Sequence, residues 1–178
     1  MFCSSYETEY GTGFVITTER EVLSVGIPGP VEGITRREEY APCPFSELVS
    51  RMLVRYFSGV RVDFTPLPVV LDHLSPFRQQ VVRMTRQLGY GDICSYGQLA
   101  ARCGIPRGAR AVGGALGANP IPVIIPCHRV VAANGMLTGF SAPGGIHTKR
   151  RMLLMEGAEF KGMNGASDRV VMNRNNEK

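Results

Sequence analysis

Near the start of the chain, branched residues lie on both sides of a short polar stretch. Val15, Ile16 and Thr17 precede Thr18 to Glu21, and Val22 and Val25 follow it. This pattern predicts a β-hairpin over 13–27 and a small sheet. Between Phe45 and Phe57 the period changes. Phe45, Leu48, Val49, Met52, Leu53 and Tyr56 recur at helical spacing, which predicts one helix covering that sheet. Residues 60–70, interrupted by Pro66 and Pro68, read as an irregular crossing into the second half, with a domain boundary near Asp72.

The second half predicts five further elements. Ser75-Pro76 supplies an N-cap and a first-turn proline for a helix with Phe77, Val81, Met84 and Leu88 on one face, stopped by Gly89. Ser95 caps a second helix whose inward face is Tyr96, Leu99, Ala100 and Cys103, ended by Gly104. Pro106 opens a third, running to about Gly117. Ala109, Val112, Gly113 and Leu116 form its apolar face, and Arg107, Arg110, Gly114 and Gly117 its other face. Residues 121–125 are almost wholly apolar and read as a buried strand or extended segment that delivers Cys127 to a bend after Pro126. Thr148 caps a last helix with Met152, Leu153 and Met155, ending near Gly157. The Asn- and Gly-rich tail from Lys161 to Lys178 is expected to lack structure.

Two short helices joined by a Gly-containing turn, the second basic on its outer face, match a helix-turn-helix. Gly113 and Gly114 each weaken their helix by about 1 kcal/mol relative to alanine, so a close approach is expected there. Gly114, on the Arg110 face, favours nucleic acid as the neighbour, while Gly113 suits packing on another helix.

Charge sharpens this picture. Residues 1–74 hold six Arg and ten acidic residues, a balance of −4; residues 75–178 hold fourteen Lys or Arg and five acids, a balance of +9. The basic half is where a polyanion would bind. Seventeen of the twenty basic residues are Arg, whose planar fork suits phosphates and base edges, although solvated faces alone account for any single one.

Other classes fall away. No apolar run approaches the roughly 20 residues that span a bilayer, and the start lacks a basic segment followed by an apolar one, so a cytoplasmic, monomeric protein is expected. The five cysteines, Cys3, Cys43, Cys94, Cys103 and Cys127, are odd in number and scattered, as free thiols are. His73, His128 and His147 lie far apart and no C-x-x-C pair exists, so no metal site is expected, although Cys3, Cys43 and His73 can still meet in space. No GxGxxG or Walker loop is present, and no cofactor is expected.

A cysteine attacks as thiolate, and a free thiol is only a few per cent ionised at neutral pH. Cys127-His128-Arg129 sets an imidazole and a guanidinium beside the sulfur in sequence, but neighbouring side chains on an extended chain diverge. On the bare residues, a buried cysteine next to a surface histidine reads as well as a catalytic pair. Glu156 likewise reads as a solvated carboxylate, and Tyr96 as a core aromatic.

The motifs decide between these readings. Ile125-Pro126-Cys127-His128-Arg129-Val130 resembles the active-site signature of the O6-alkylguanine-DNA alkyltransferases. The likeness extends through Tyr96-Gly97-Gln98-Leu99-Ala100, Arg110-Ala111-Val112-Gly113-Gly114-Ala115 and Asn119-Pro120, in the family's order and spacing. It covers about Ser75 to Glu156. Residues 1–74 resemble the family's N-terminal domain only in length and coarse pattern.

The resemblance implies an α/β protein of two small domains. An RNase H-like sheet domain spans 1–74, and a winged-helix-like helix-turn-helix domain holding the cysteine spans 75–160. It further implies repair of double-stranded DNA by irreversible, stoichiometric transfer of an alkyl group from O6-alkylguanine, or from O4-alkylthymine, to Cys127, with the damaged base rotated out of the stack. His128 then takes the thiol proton through a water, and Glu156 orients and charges His128. Asn119 ties the recognition helix to the cysteine segment, and Tyr96 donates to the departing base. The backbone of Cys127 and Val130 holds the guanine amino group; Ser141, Phe140, Pro122 and Lys149 surround the base. Arg110 fills the vacated stack, and Ala109, Gly113, Gly114 and Arg107 face DNA. Phe140 departs from the family's usual tyrosine and lacks its hydroxyl.

Rival classes are a protein that binds alkylated guanine without removing the group, a helix-turn-helix regulator and a Cys-His hydrolase. The presence of Cys127 argues against the first, the lack of a visible effector domain against the second, and single turnover would exclude the third.

Overall fold

The structure, a computed structural model, describes residues 1–29, 40–161 and 169–172. Strands β1 (Phe2–Thr8), β2 (Gly11–Thr17) and β3 (Val22–Gly29) form an antiparallel sheet in the order β1-β2-β3. The expected hairpin is the β2-β3 pair, turning through Thr18 to Glu21. Strand β1 escaped sequence reading because its inward positions include a polar one. Ser4 and Tyr6 point in, and the Ser4 hydroxyl meets that of Ser46 at 2.7 Å beneath the covering helix.

Helix α1 (Pro44–Phe57) lies on this sheet, capped by Cys43, whose sulfur accepts from the Ser46 N–H. Val49, Leu53, Tyr56 and Phe57 are its buried face. Leu48, assigned to that face from sequence, is exposed, because the contact stripe is narrower than the run of apolar residues.

Helix α2 (Pro76–Arg86) starts on the Ser75 cap as expected and stops at Arg86, three residues short of Gly89. A two-residue strand β4 (Cys94–Ser95) leads into α3 (Tyr96–Arg102), where Ser95 and Gln98 form a reciprocal capping box. Helix α4 (Ala109–Gly117) begins later than expected. Pro106 and Arg107 occupy a turn closed by the Gly108 N–H on the Ile105 carbonyl at 2.7 Å. The fixed proline φ that suits a first helical turn suits a β-turn equally, so the proline alone did not distinguish them. Helices α2, α3 and α4 pack together around Val81, Leu99, Ala100, Val112, Ala115 and Leu116.

Residues 121–125 are buried but fold into a tight turn rather than a strand. The Asn119 amide accepts from the Ile121 N–H at 3.1 Å and donates to the Ile125 carbonyl at 2.9 Å, drawing the two ends of the run together. Val123 takes φ +73°, a left-handed conformation that strains a β-branched residue. The side chains of this turn join the sheet and α1 in one apolar cluster, so the two halves share a core.

The chain then makes a single 3₁₀ turn over Cys127–Arg129 and enters β5 (Val130–Val131), parallel to β4. Helix α5 (Gly145–Met155) starts three residues before the expected cap. Thr148 lies within it, and its hydroxyl donates to the Pro143 carbonyl at 2.6 Å, bracing the preceding loop.

Strand β6 (Phe160–Lys161) pairs with β7 (Arg169–Val170). The tail expected to lack structure is therefore placed in part. Val170 packs with Val131, Leu137 and Leu153, which the polar composition around it concealed. The rest of the tail, 162–168 and 173–178, lies outside the described residues. No helix among the described residues is long and apolar enough to cross a membrane.

Candidate active site

Asn119 follows the Ala118 C-cap of α4 and organises the turn after it, so the helix and the cysteine segment are tied together. Cys127 sits at the start of the 3₁₀ turn, 8% exposed, on the wall of a cavity of about 960 Å³. Tyr96, Ala109, Arg110, Gly113, Asn119, Pro122, Phe140 and Ser141 line the same cavity. Nine of the residues singled out from sequence therefore converge, although they come from four separate stretches of chain. Strand β3 contributes a wall that sequence reading missed, Ser24 to Ile27.

Val130, Lys149, Arg107 and Gly114 do not line the cavity. The Lys149 ammonium is fully buried behind Tyr96 and donates to the carbonyls of Val130, at 2.6 Å, and Thr138, at 3.1 Å; it lies 3.5 Å from the Tyr96 hydroxyl. Burial lowers its pKa to about 8, against the pull of Cys127. The Val130 carbonyl thus already has one donor. Arg107 is in the turn before α4, and a Cβ added to Gly114 would meet nothing within 4 Å. A Cβ on Gly113 would only touch the Tyr96 ring, at 3.8 Å.

Burial pushes the Cys127 thiol up from its ordinary value, while Asn119, the Lys149 ammonium and the N–H groups of the turn pull it down. The thiol is therefore protonated at rest and needs a base. His128 is completely buried on the other side of the turn. Its Nε2 lies 2.8 Å from Glu156 Oε1 and so carries the hydrogen, which leaves the lone pair of the neutral ring on Nδ1. That Nδ1 is buried and has no hydrogen-bond partner. Buried polar atoms are seldom left unpaired, so Nδ1 marks a place for a water or a proton.

Glu156 caps the C-terminus of α5, where its charge opposes the helix dipole. Arg129 compensates. Its Nε donates to Oε2 at 2.7 Å and its Nη2 to Oε1 at 2.8 Å, while Nη1 reaches the Leu88 carbonyl at 2.6 Å. The Gly91 N–H adds a bond to Oε2 at 3.2 Å. Burial alone would raise the Glu156 carboxyl, but His128 and Arg129 together hold it well below the usual carboxylate range. Arg129 is a second, permanently charged partner of the carboxylate that the resemblance pairs with His128, and burial, reinforced by Arg129 and Lys149, lowers the His128 pKa despite Glu156. Arg129, a neighbour of the sulfur in sequence only, spends its guanidinium on Glu156 and the Leu88 carbonyl. Its signal was an arginine flanked by His128 and by two valines, a position that demands a buried carboxylate.

No group of three metal-capable side chains gathers among the described residues, and Cys3, Cys43 and His73 do not form one.

Fold and site together define a mixed α/β protein in which a helical DNA-reader candidate, α3-α4, shares a cavity with a cysteine backed by a buried His-Glu-Arg cluster. The sequence matches the profile described as "6-O-methylguanine DNA methyltransferase, DNA binding domain" over residues 76–158. The methylated-DNA--protein-cysteine methyltransferase of Haemophilus influenzae is 38% identical over 129 residues, covering 67% of this chain and 70% of its own. That of Mycobacterium tuberculosis is 43% identical over 149 residues, with 82% of each chain covered. The crystal structure of Mycobacterium tuberculosis OGT in complex with DNA superposes with a TM-score of 0.72 at 33% identity, over 88% of this chain and 92% of that one. The chain belongs to the methylated-DNA--protein-cysteine methyltransferase family.

Proposed function

We propose that this protein repairs alkylated DNA by moving the alkyl group of O6-alkylguanine, or of O4-alkylthymine, onto Cys127, once per molecule. The observation that carries this reading is the pairing of a cavity-lining cysteine with a buried histidine whose Nε2 is tied to Glu156 and whose Nδ1 is unpaired. Family membership supplies the substrate class, and the +9 balance of residues 75–178 suits a polyanion.

The chemistry is an SN2 displacement. His128 Nδ1 takes the thiol proton through a water, Sγ bonds to the alkyl carbon, and the carbon–O6 bond breaks with its electron pair going to guanine. Tyr96, with Lys149 behind it, donates to the departing base, while the backbone carbonyls of Cys127 and Val130 accept from its amino group. Ser141, Phe140 and Pro122 enclose the base. Arg110 enters the stack that the rotated base leaves, and Ala109, Gly113, Gly114 and Arg107 lie along the duplex. The thioether product is inert to water, so the protein is consumed.

In this reading residues 1–74 form an RNase H-like domain and 75–160 a winged-helix-like one. The protein acts as a monomer in the cytoplasm, where free thiols persist.

The test is intact mass after mixing with a duplex containing O6-methylguanine. Gain of one methyl group at Cys127, limited to one equivalent and absent in Cys127→Ser, is the expected result. Tight binding without a mass change would instead indicate a protein that recognises the lesion and leaves it in place.

A further inference from the structure

Tyr56 lies in the last turn of α1, some 70 residues away from the cysteine turn in sequence, yet its hydroxyl reaches the cluster behind Cys127. It donates to Glu156 Oε1 at 2.8 Å and lies 3.2 Å from His128 Nε2, which is itself 2.8 Å from the same carboxylate oxygen. The three atoms form a closed triangle. The ring is held by edge contacts with Phe57, Phe64 and Tyr90, at centroid distances of 5.1, 6.0 and 6.4 Å, and is 1% exposed. Such a side chain has one position available.

We infer that Tyr56 is a positioning residue for proton transfer at His128, supplied to the cysteine site by the N-terminal half of the chain. The inference rests on the reading of Cys127 as alkyl acceptor. The phenol hydrogen goes to the carboxylate, the stronger acceptor, so the phenol oxygen presents a lone pair toward the Nε2–H edge. In the resting protein this reinforces the tautomer that Glu156 sets, with hydrogen on Nε2 and the free lone pair on Nδ1. When Nδ1 takes the cysteine proton the ring becomes a cation, and both the carboxylate and the phenol oxygen face its positive edge.

The other charged groups around this triangle do not replace it. Arg129 is spent on Glu156 and opposes a positive His128, as does Lys149 from the cavity side; Tyr90 lies beyond Arg129, with its hydroxyl on the Met155 carbonyl. Burial, reinforced by Glu156, raises the Tyr56 phenol well above its ordinary value, so it stays a neutral donor across any assay range.

The experiment is the pH profile of methyl transfer from duplex O6-methylguanine, for the full chain and for Tyr56→Phe, which keeps the ring and removes only the hydroxyl. The variant should be about ten-fold slower at pH 7, because the His128 cation is less stable by about one pKa unit, and the deficit should close at high pH, where the Cys127 thiol ionises without a base. The ¹⁵N shifts of the His128 ring give a second readout: its titration should lie at lower pH in Tyr56→Phe than in the natural chain. A deficit of the same factor at every pH, or a His128 titration that does not move down, overturns the inference. Failure of the natural chain itself to gain a methyl group would count against the alkyl-acceptor reading, and the His128 titration would still judge Tyr56.

Discussion

The outer face of α4 and the cluster behind Cys127 lie on opposite sides of one turn and are built on opposite principles. On α4, Arg110 is exposed and makes no hydrogen bond or ion pair among the described residues, and Gly114 has open space where a side chain would be. Behind the cysteine, Glu156 accepts from Tyr56, His128, Arg129 and the Gly91 N–H, and its side chain and that of His128 are fully buried. On the proposed reading, groups that engage a large partner are left uncommitted. Groups that must hold a proton in one place are over-determined. Substitutions in the cluster should therefore damage stability and chemistry together, and those on α4 should damage only the reaction with duplex.

The largest effect is expected from Glu156→Gln. Removing one partner of a buried ion pair leaves Arg129 uncompensated, at a cost of about 3–5 kcal/mol. In a chain of this size that lowers Tm by about 10 °C. Methyl transfer should fall by at least about 100-fold, because the imidazolium formed at His128 loses its carboxylate. The sign with pH follows from the depressed Glu156 pKa. Its contribution is complete above the unfolded glutamate value of about 4.3 and is lost as pH falls toward the folded value. The stability gap between natural chain and variant, measured by urea unfolding, should thus narrow from pH 6 to pH 3.5. A gap independent of pH would remove Glu156 as the charged anchor.

Arg110→Ala should leave the unfolding free energy within about 0.5 kcal/mol of the natural value, as surface changes do. It should slow transfer from duplex by about 10- to 100-fold, roughly 1–3 kcal/mol, because the gap left by the rotated base goes unfilled. Reaction with the free alkylated base should be unaffected, and equal losses on both substrates would break the contrast drawn above.

The same contrast explains what the sequence made legible. The proposed DNA face of α4 is local, so its basic, glycine-bearing residues stand out from spacing alone. Cys127 and His128 share one contiguous motif, and Asn119 belongs to a second, Asn119-Pro120. The cluster is non-local: Tyr56, Gly91 and Glu156 meet only because α1, the loop before β4 and the end of α5 converge, and no periodicity encodes that. Chemistry misled where one residue serves two geometries. Pro106 suits a helix start and a turn, Thr148 suits a cap and a brace to Pro143, and the apolar run 121–125 hid the fact that Asn119 folds it back on itself.

Gly114→Ala should show the smallest and most discriminating effect. With nothing within 4 Å of the added Cβ, the helix gains about 0.5–1 kcal/mol from the lost flexibility of glycine, and Tm should rise by about 2–4 °C. If α4 presses its backbone against DNA, duplex affinity should fall several-fold while reaction with the free base keeps its rate, so that stability and function move in opposite directions. A variant that is more stable and binds duplex equally well would mean that this glycine faces solvent in the complex, and the close approach would then have to be assigned to Gly113, whose neighbour in the cavity is Tyr96.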